Sequence, residues 1–246
     1  MKKKLLVAAM MLGMAAFANA QTNIQEMYDF NRGHLTTTLE MFQADDWGST
    51  FFFTDIYHPT ENPWTTPTGY YTEIVRALNF WKNSALAPLS LHVEWNGGQL
   101  ANNCWLFGVE YFMHNADFSN TFSFQVMYKS IQGAEGNVPL QFTFVWGMNN
   151  LFNVKGLVFS GFFDIWGEKN AWAWDYMGNP TEVTGFVILS EPQLWYNVGQ
   201  HFKCNNLYIG GELELACNFA GGWQYNPWVA NKGFNVAPCA GVKWVF

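Results

Sequence analysis

Ser90, His92, Glu94 and Asn96 stand at every second position of one stretch, with Leu89, Leu91, Val93 and Trp95 between them. In an extended chain successive side chains point to opposite faces, so the four polar groups share one face. Such a face suits hydrogen bonding to a small hydrophilic solute. The same spacing aligns Phe51, Phe53 and Asp55, then Glu110 and His114, Ser160 and Asp164, Glu191, Gln193 and Asn197, and Glu212 and Glu214. Bond-making chemistry finds less support. His34, His58, His92, His114 and His201 are scattered, and no HExxH, GxSxG, phosphate-binding loop or dinucleotide fingerprint is present. His58 lies near Glu61, but two residues in one connection do not make a triad. Cys104, Cys204, Cys217 and Cys239 form no CxxC pair, so free thiols are expected, and neither a metal nor a cofactor is.

The elements that carry these residues are strands. Period-two alternation runs through twelve stretches: 23–31, 34–43, 49–57, 71–81, 88–96, 103–114, 119–130, 138–148, 154–166, 182–198, 206–219 and 234–246. In the seventh, Phe122, Phe124, Val126 and Tyr128 oppose Thr121, Ser123, Gln125 and Lys129; in the eighth, Leu140, Phe142, Phe144 and Trp146 oppose Gln141, Thr143, Val145 and Gly147. Several others are apolar on both faces. Most are 9 to 13 residues, long enough for a tilted strand to cross a bilayer. Only 13% of residues are charged while 19% are aromatic, including 13 Trp and 23 Phe. A soluble surface needs more charge than that, whereas a barrel in lipid needs apolar side chains outside and aromatic girdles at both interfaces.

The ends agree. Lys2, Lys3 and Lys4 precede an uncharged stretch from Leu5 to Phe17 and the small-x-small site Ala18-Asn19-Ala20. This reads as a secretory signal over 1–20, cleaved after Ala20, because the apolar run falls short of the roughly 20 residues of a spanning helix. Without those lysines the bases drop from 12 to 9 against 19 acids, a net charge of −10. An acidic surface argues against nucleic acid as a partner. The alternating terminal strand ending at Phe246 resembles the one by which the outer-membrane assembly machinery recognises its substrates. The expectation is an all-β, transmembrane antiparallel barrel of about twelve strands over 21–246, in lipid of the outer membrane of a Gram-negative bacterium. With both termini periplasmic, the longest connections (58–70, 167–181 and 220–233) are all odd-numbered and face outward, while 44–48 and 149–153 are short periplasmic turns.

Asp45-Asp46-Trp47-Gly48 followed by Ser49-Thr50-Phe51-Phe52-Phe53-Thr54-Asp55 resembles the Tsx-like nucleoside-specific channel-forming proteins, with further likeness at Glu191-Pro192-Gln193-Leu194-Trp195-Tyr196 and Gly210-Gly211-Glu212-Leu213-Glu214. The resemblance spans 21–246 and implies a monomeric twelve-stranded barrel whose narrow lumen passes nucleosides by weak stacking and hydrogen bonding. The chain's large number of tryptophans departs from that family.

The candidate lumenal residues are Phe51, Phe53, Asp55, His92, Glu94, Glu110, Asp164, Glu191, Gln193, Glu212 and Glu214, with Arg76 and Lys243 as the cations. A charge facing lipid at mid-membrane costs roughly 2–4 kcal/mol, which favours the inward orientation. In a second reading Phe51 and Phe53 face lipid and Thr54 faces in. Trp47, Trp95, Trp105, Trp146, Trp166, Trp195, Trp228 and Trp244 read as girdle and loop packing. The function expected is passive uptake of small hydrophilic solutes. Its rivals are a closed barrel with a structural or adhesive role, a barrel enzyme acting at the outer rim, and a secreted soluble β-sandwich.

Overall fold

The computed structural model describes residues 21–59, 67–99, 103–132, 139–174, 180–219 and 233–246, without the side chains of 168–174 and 180–184. It is built from β1 (Gln21–Asp29), β2 (His34–Asp45), β3 (Gly48–Tyr57), β4 (Gly69–Leu78), β5 (Leu89–Gly98), β6 (Cys104–His114) and β7 (Asn120–Ile131). There follow β8 (Leu140–Asn149), β9 (Leu157–Trp174), β10 (Pro180–Ser190), β11 (Gln193–Tyr196), β12 (Leu207–Cys217) and β13 (Phe234–Val245). Each strand pairs antiparallel with its neighbours, and β1 closes on β13 with Asn23 opposite Val245 and Asp29 opposite Cys239.

Strands β10 and β11 are two halves of one barrel strand, since both lie between β9 and β12. The break falls at Glu191-Pro192, where proline has no N–H to give the ladder. The pairing survives around it: Glu191 N–H reaches the Phe162 carbonyl at 3.2 Å, and the Pro192 carbonyl accepts from Leu213 N–H at 3.0 Å. Opposite the break stands Gly161, with φ +152°, where a Cβ would lie 2.4 Å from the Glu191 carbonyl oxygen. Thirteen segments therefore make a closed barrel of twelve strands, as the sequence pattern predicts.

Three boundaries differ from expectation. Strand β9 continues to Trp174, so most of the anticipated loop 167–181 is the arm of a long hairpin with β10. Strand β4 stops at Leu78, because the Asn79 side-chain amide ties the next turn together, donating to the Ala87 and Leu89 carbonyls at 2.6 and 3.0 Å. The stretch from 182 to 198 ends at Tyr196, and Asn197 instead caps a 3-10 turn, Val198–Phe202, by accepting from Gln200 N–H. Of the connections expected to face outward, 60–66 and 220–232 fall outside the described residues, as do Glu61, Trp228 and the segment 1–20.

Alternation sorts the side chains. Outward positions carry Ile24, Leu39, Ile74, Phe107, Val109, Phe124, Val126, Phe142 and Leu213, all well exposed on the outer wall. Toward the end remote from the termini this wall carries Tyr28, Tyr70, Trp105 and Tyr128; at the terminal end it carries Trp47, Phe80, Phe118, Trp244 and Phe246. Inward positions are mostly polar and mostly buried. Twelve strands about 4.8 Å apart and tilted about 40° set a backbone radius of about 12 Å. Inward side chains fill much of that width.

Close approach of neighbouring strands depends on glycine where a large ring must fit. A Cβ at Gly210 would lie 2.1 Å from the Leu194 carbonyl oxygen and 2.8 Å from Cε3 of Trp195. Gly210→Val is therefore expected to destabilise the barrel by about 1–3 kcal/mol, read as a lower urea midpoint of the refolded protein in detergent.

Candidate functional site

The pairing register decides which residues share the lumen. On the β2–β4 wall, Thr38 Oγ1 donates to Asp55, which places Asp55, Phe53 and Phe51 inside. The Phe51 and Phe53 rings lie 6.0 Å apart and Phe53 lies 5.9 Å from Tyr71, an aromatic ladder along the wall. Tyr71 continues it into polar chemistry by donating to Glu73 Oε1 at 2.6 Å. Thr54 faces the other way, its hydroxyl 2.9 Å from that of Thr72, so the reading with Thr54 inside does not hold.

The β5–β9 wall holds a second set. His92 is almost fully buried between two carboxylates, with Nε2 3.1 Å from Glu94 Oε2 and Nδ1 3.4 Å from Glu110 Oε2. Ionised carboxylates only accept hydrogen bonds. The ring satisfies both together as imidazolium, or with one carboxyl protonated. Asn96 adds a bond to Glu94 Oε1 at 2.8 Å. Further round, Thr143 donates to Asp164, Lys129 donates to Gln141 at 2.6 Å, and the Lys129 ammonium lies 3.6 Å from the centre of the Trp166 ring.

The third wall, from β10 through β13 to β1, joins Gln193 to Glu212 at 2.8 Å and Trp195 Nε1 to Gln193 Oε1 at 2.9 Å. The Lys243 ammonium lies 4.2 Å above the Trp195 ring. At the end remote from the termini, Arg32 reaches back from the β1–β2 turn to pair with Asp29 and, at 2.6 Å, with Glu214. Burial alone would push its guanidinium down; Glu214 and Asp29 outweigh that and hold it above its ordinary value. Nearer the terminal end Asn23 donates to Glu40 at 2.7 Å, and Gln25 donates to Asn23 at 2.9 Å.

Arg76 is a correction. It faces outward, where it binds Asp45 at 2.7 Å and Thr50 Oγ1 at 2.8 Å. Its place two residues from the end of β4 lets a long cation reach the interface instead of the bore. Two tryptophans of the anticipated girdle are also reassigned: Trp166 and Trp195 point inward beneath lysines, whereas Trp47, Trp105 and Trp244 are exposed on the outside. His114 stacks on Phe118 at 3.8 Å at the terminal rim. Sequence reasoning missed Tyr71, Glu73, Glu40, Gln25 and Arg32, and set Lys129 on the polar face of its strand without counting it among the lumenal cations. Glu73 was in reach, because it shares the face fixed by Phe53 and Asp55 once β4 is set in register.

The lumen is strongly acidic. Ten inward carboxylates (Asp29, Glu40, Asp55, Glu73, Glu94, Glu110, Asp164, Glu191, Glu212 and Glu214) face three Lys and Arg side chains, Arg32, Lys129 and Lys243, and the His92 ring among the described side chains. Glu191 interacts electrostatically with Glu212 and Glu214 and, across the bore, with Asp55 and Glu73. Leu106, Met127 and Cys104 make a small apolar patch on the inner wall. The four cysteines are free thiols.

Comparison with known proteins places this architecture. A family model described as "Domain of unknown function (DUF5020)" matches residues 20–246. The chain belongs to that family. No curated protein matches it. Among solved structures, members of the same barrel fold include the NanC porin, at 9% identity over 91% of this chain and 98% of that one, with a TM-score of 0.55. The KdgM porin is also similar, at 10% identity over 92% and 99% of the two chains, with a TM-score of 0.47. At identity this low the likeness to the NanC porin shows the barrel fold alone.

Variants on both faces of the wall test these placements. His92→Leu leaves Glu94 and Glu110 facing each other and is expected to cost about 3–5 kcal/mol of stability, with part regained in His92→Leu/Glu110→Gln, measured as urea midpoints. Arg76→Ala, on the outer face, is expected to leave single-channel conductance unchanged in a planar bilayer.

Proposed function

We propose that this barrel is an outer-membrane channel for passive uptake of small hydrophilic solutes, nucleosides among them. The observation that carries the reading is the two-faced wall: apolar and aromatic-belted outside, polar and carboxylate-lined inside. A chain exported through the signal expected over 1–20, with its terminal strand ending at Phe246, would sit with its termini in the periplasm. A porin of the same barrel fold, the NanC porin, supports a transport role.

The nucleoside reading rests on the Tsx-like resemblance and on the chemistry of one wall. A flat heterocycle stacks on aromatic faces, and Phe51, Phe53 and Tyr71 offer a ladder of them. Sugar hydroxyls donate to carboxylates, and Asp55 and Glu73 stand on the same face. Binding of this kind is weak and repeated, as conduction requires. A closed barrel with a structural or adhesive role is the second reading. It is favoured by the near-complete burial of Leu106, Met127, Val187 and Trp195 on the inner wall.

Reconstitution of the protein in planar bilayers separates them. The expected result is discrete conductance steps that nucleosides block in a saturable way. Phe51→Ala and Phe53→Ala should weaken that block by about tenfold, given roughly 1–3 kcal/mol for each base stacked on an aromatic ring. Steps indifferent to nucleosides would keep the channel and discard the solute. A silent bilayer with demonstrably folded protein would favour the closed barrel.

A further inference from the structure

The charge of the lumen, and the way its few bases are used, points to a particular class of solute. Arg32 is bound to Asp29 and Glu214. Lys129 and Lys243 lie on the faces of Trp166 and Trp195. Lys243 also faces Glu40 and Glu212, and Lys129 faces Glu73 and Asp164. Each base is thus shared between carboxylates, and among the described residues six of the ten lie beyond salt-bridge distance of any base: Glu40 and Asp164, and a group of four, Asp55, Glu73, Glu191 and Glu212. These four come from β3, β4, the β10–β11 junction and β12, so they face one another from walls on opposite sides of the bore.

Gln25 gives an independent sign. Glu40 accepts from Asn23 Nδ2, which leaves Asn23 Oδ1 to accept from Gln25 Nε2. That chain of donors fixes the orientation of both amides. The Gln25 carbonyl oxygen is left over, buried and without a hydrogen-bond partner, on a side chain only 1% exposed. It lies on the inner wall between Lys243 of β13 and Thr38 of β2, which binds Asp55. A buried acceptor beside surplus carboxylates is a place for a group that only donates.

We propose that the lumen selects for organic cations, binding an ammonium-bearing solute between Asp55, Glu212, Glu191 and Glu73 with the Gln25 carbonyl as an added acceptor. The two lysines already show the mode of recognition: an alkylammonium on an indole face, with carboxylates at its side. Attraction to the cation concentrates it in the bore, and repulsion keeps small anions out. Neutral solutes such as nucleosides pass without this discrimination. The inference rests on the channel reading and adds the sign of the charge that the channel prefers.

The test uses the full barrel in planar bilayers under a salt gradient, with folding checked by heat-dependent mobility on a gel. The expected result is a reversal potential on the cation side, corresponding to a potassium-to-chloride permeability ratio of about ten. Micromolar to millimolar 1,4-diaminobutane should block saturably where succinate does not. Asp55→Asn/Glu212→Gln should bring the ratio toward unity and weaken the diamine block; Glu191→Gln, which removes one carboxylate and no described hydrogen bond, should do so in part if the double variant fails to fold. Open steps with no cation preference, or block by succinate in place of the diamine, would overturn the proposal and leave the channel standing. Folded protein that never conducts would overturn both.

Discussion

The structure depends on the seam between β1 and β13. In hydrocarbon no water is present to satisfy a free N–H or C=O, so a sheet in lipid must use all its backbone groups on itself. The pairing that runs from Asn23–Val245 to Asp29–Cys239 completes this circuit. Once the sheet is closed, period-two alternation becomes a division between inside and outside. Polar side chains on the inner face have nowhere else to go, and the perimeter of twelve strands fixes how much room they share.

That confinement explains the character of the interior. Groups that would each find water on a soluble surface find one another instead, in runs such as Gln25–Asn23–Glu40, Trp195–Gln193–Glu212 and Asn96–Glu94–His92–Glu110. Such networks stiffen the wall, since each member is held by the next. They also leave the surplus of acid unneutralised, because a base that binds two carboxylates still leaves the set negative. The side chains that hold the wall together are therefore also the ones that set the charge of the interior.

Much of this was legible in the sequence, and for a simple reason. Where a strand is apolar on one face only, as in β7 and β8, alternation by itself separates lumen from exterior. Where it is apolar on both, as at Phe51-Phe52-Phe53, the sequence leaves two readings, and only the bond from Thr38 to Asp55 across the β2–β3 ladder decides. Composition misled in three places. Arg76 has the charge of a lumenal residue but the parity of an outer one, and its partner Asp45 is distant in sequence. Trp166 and Trp195 have the composition of a girdle but lie inside, because Lys129 and Lys243 cover their faces. Residues 167–181 mix Gly, Lys, Asn, Asp and Pro like a loop, yet much of that stretch is paired strand.

That long hairpin has a consequence for where the membrane ends. Strand β8 leaves β9 at Gln141–Trp166, and β12 leaves β10 at Ile188–Cys217, while β9 and β10 stay paired up to Trp174 and Pro180. Beyond those points no described strand pairs with either outer edge of the arm, and of the described side chains the Asn218 amide donates to the Phe186 carbonyl at 3.1 Å. Lipid cannot tolerate such edges, but water can. Hydrocarbon above the level of Trp166 and Ile188 would therefore require other parts of the chain to cover those edges.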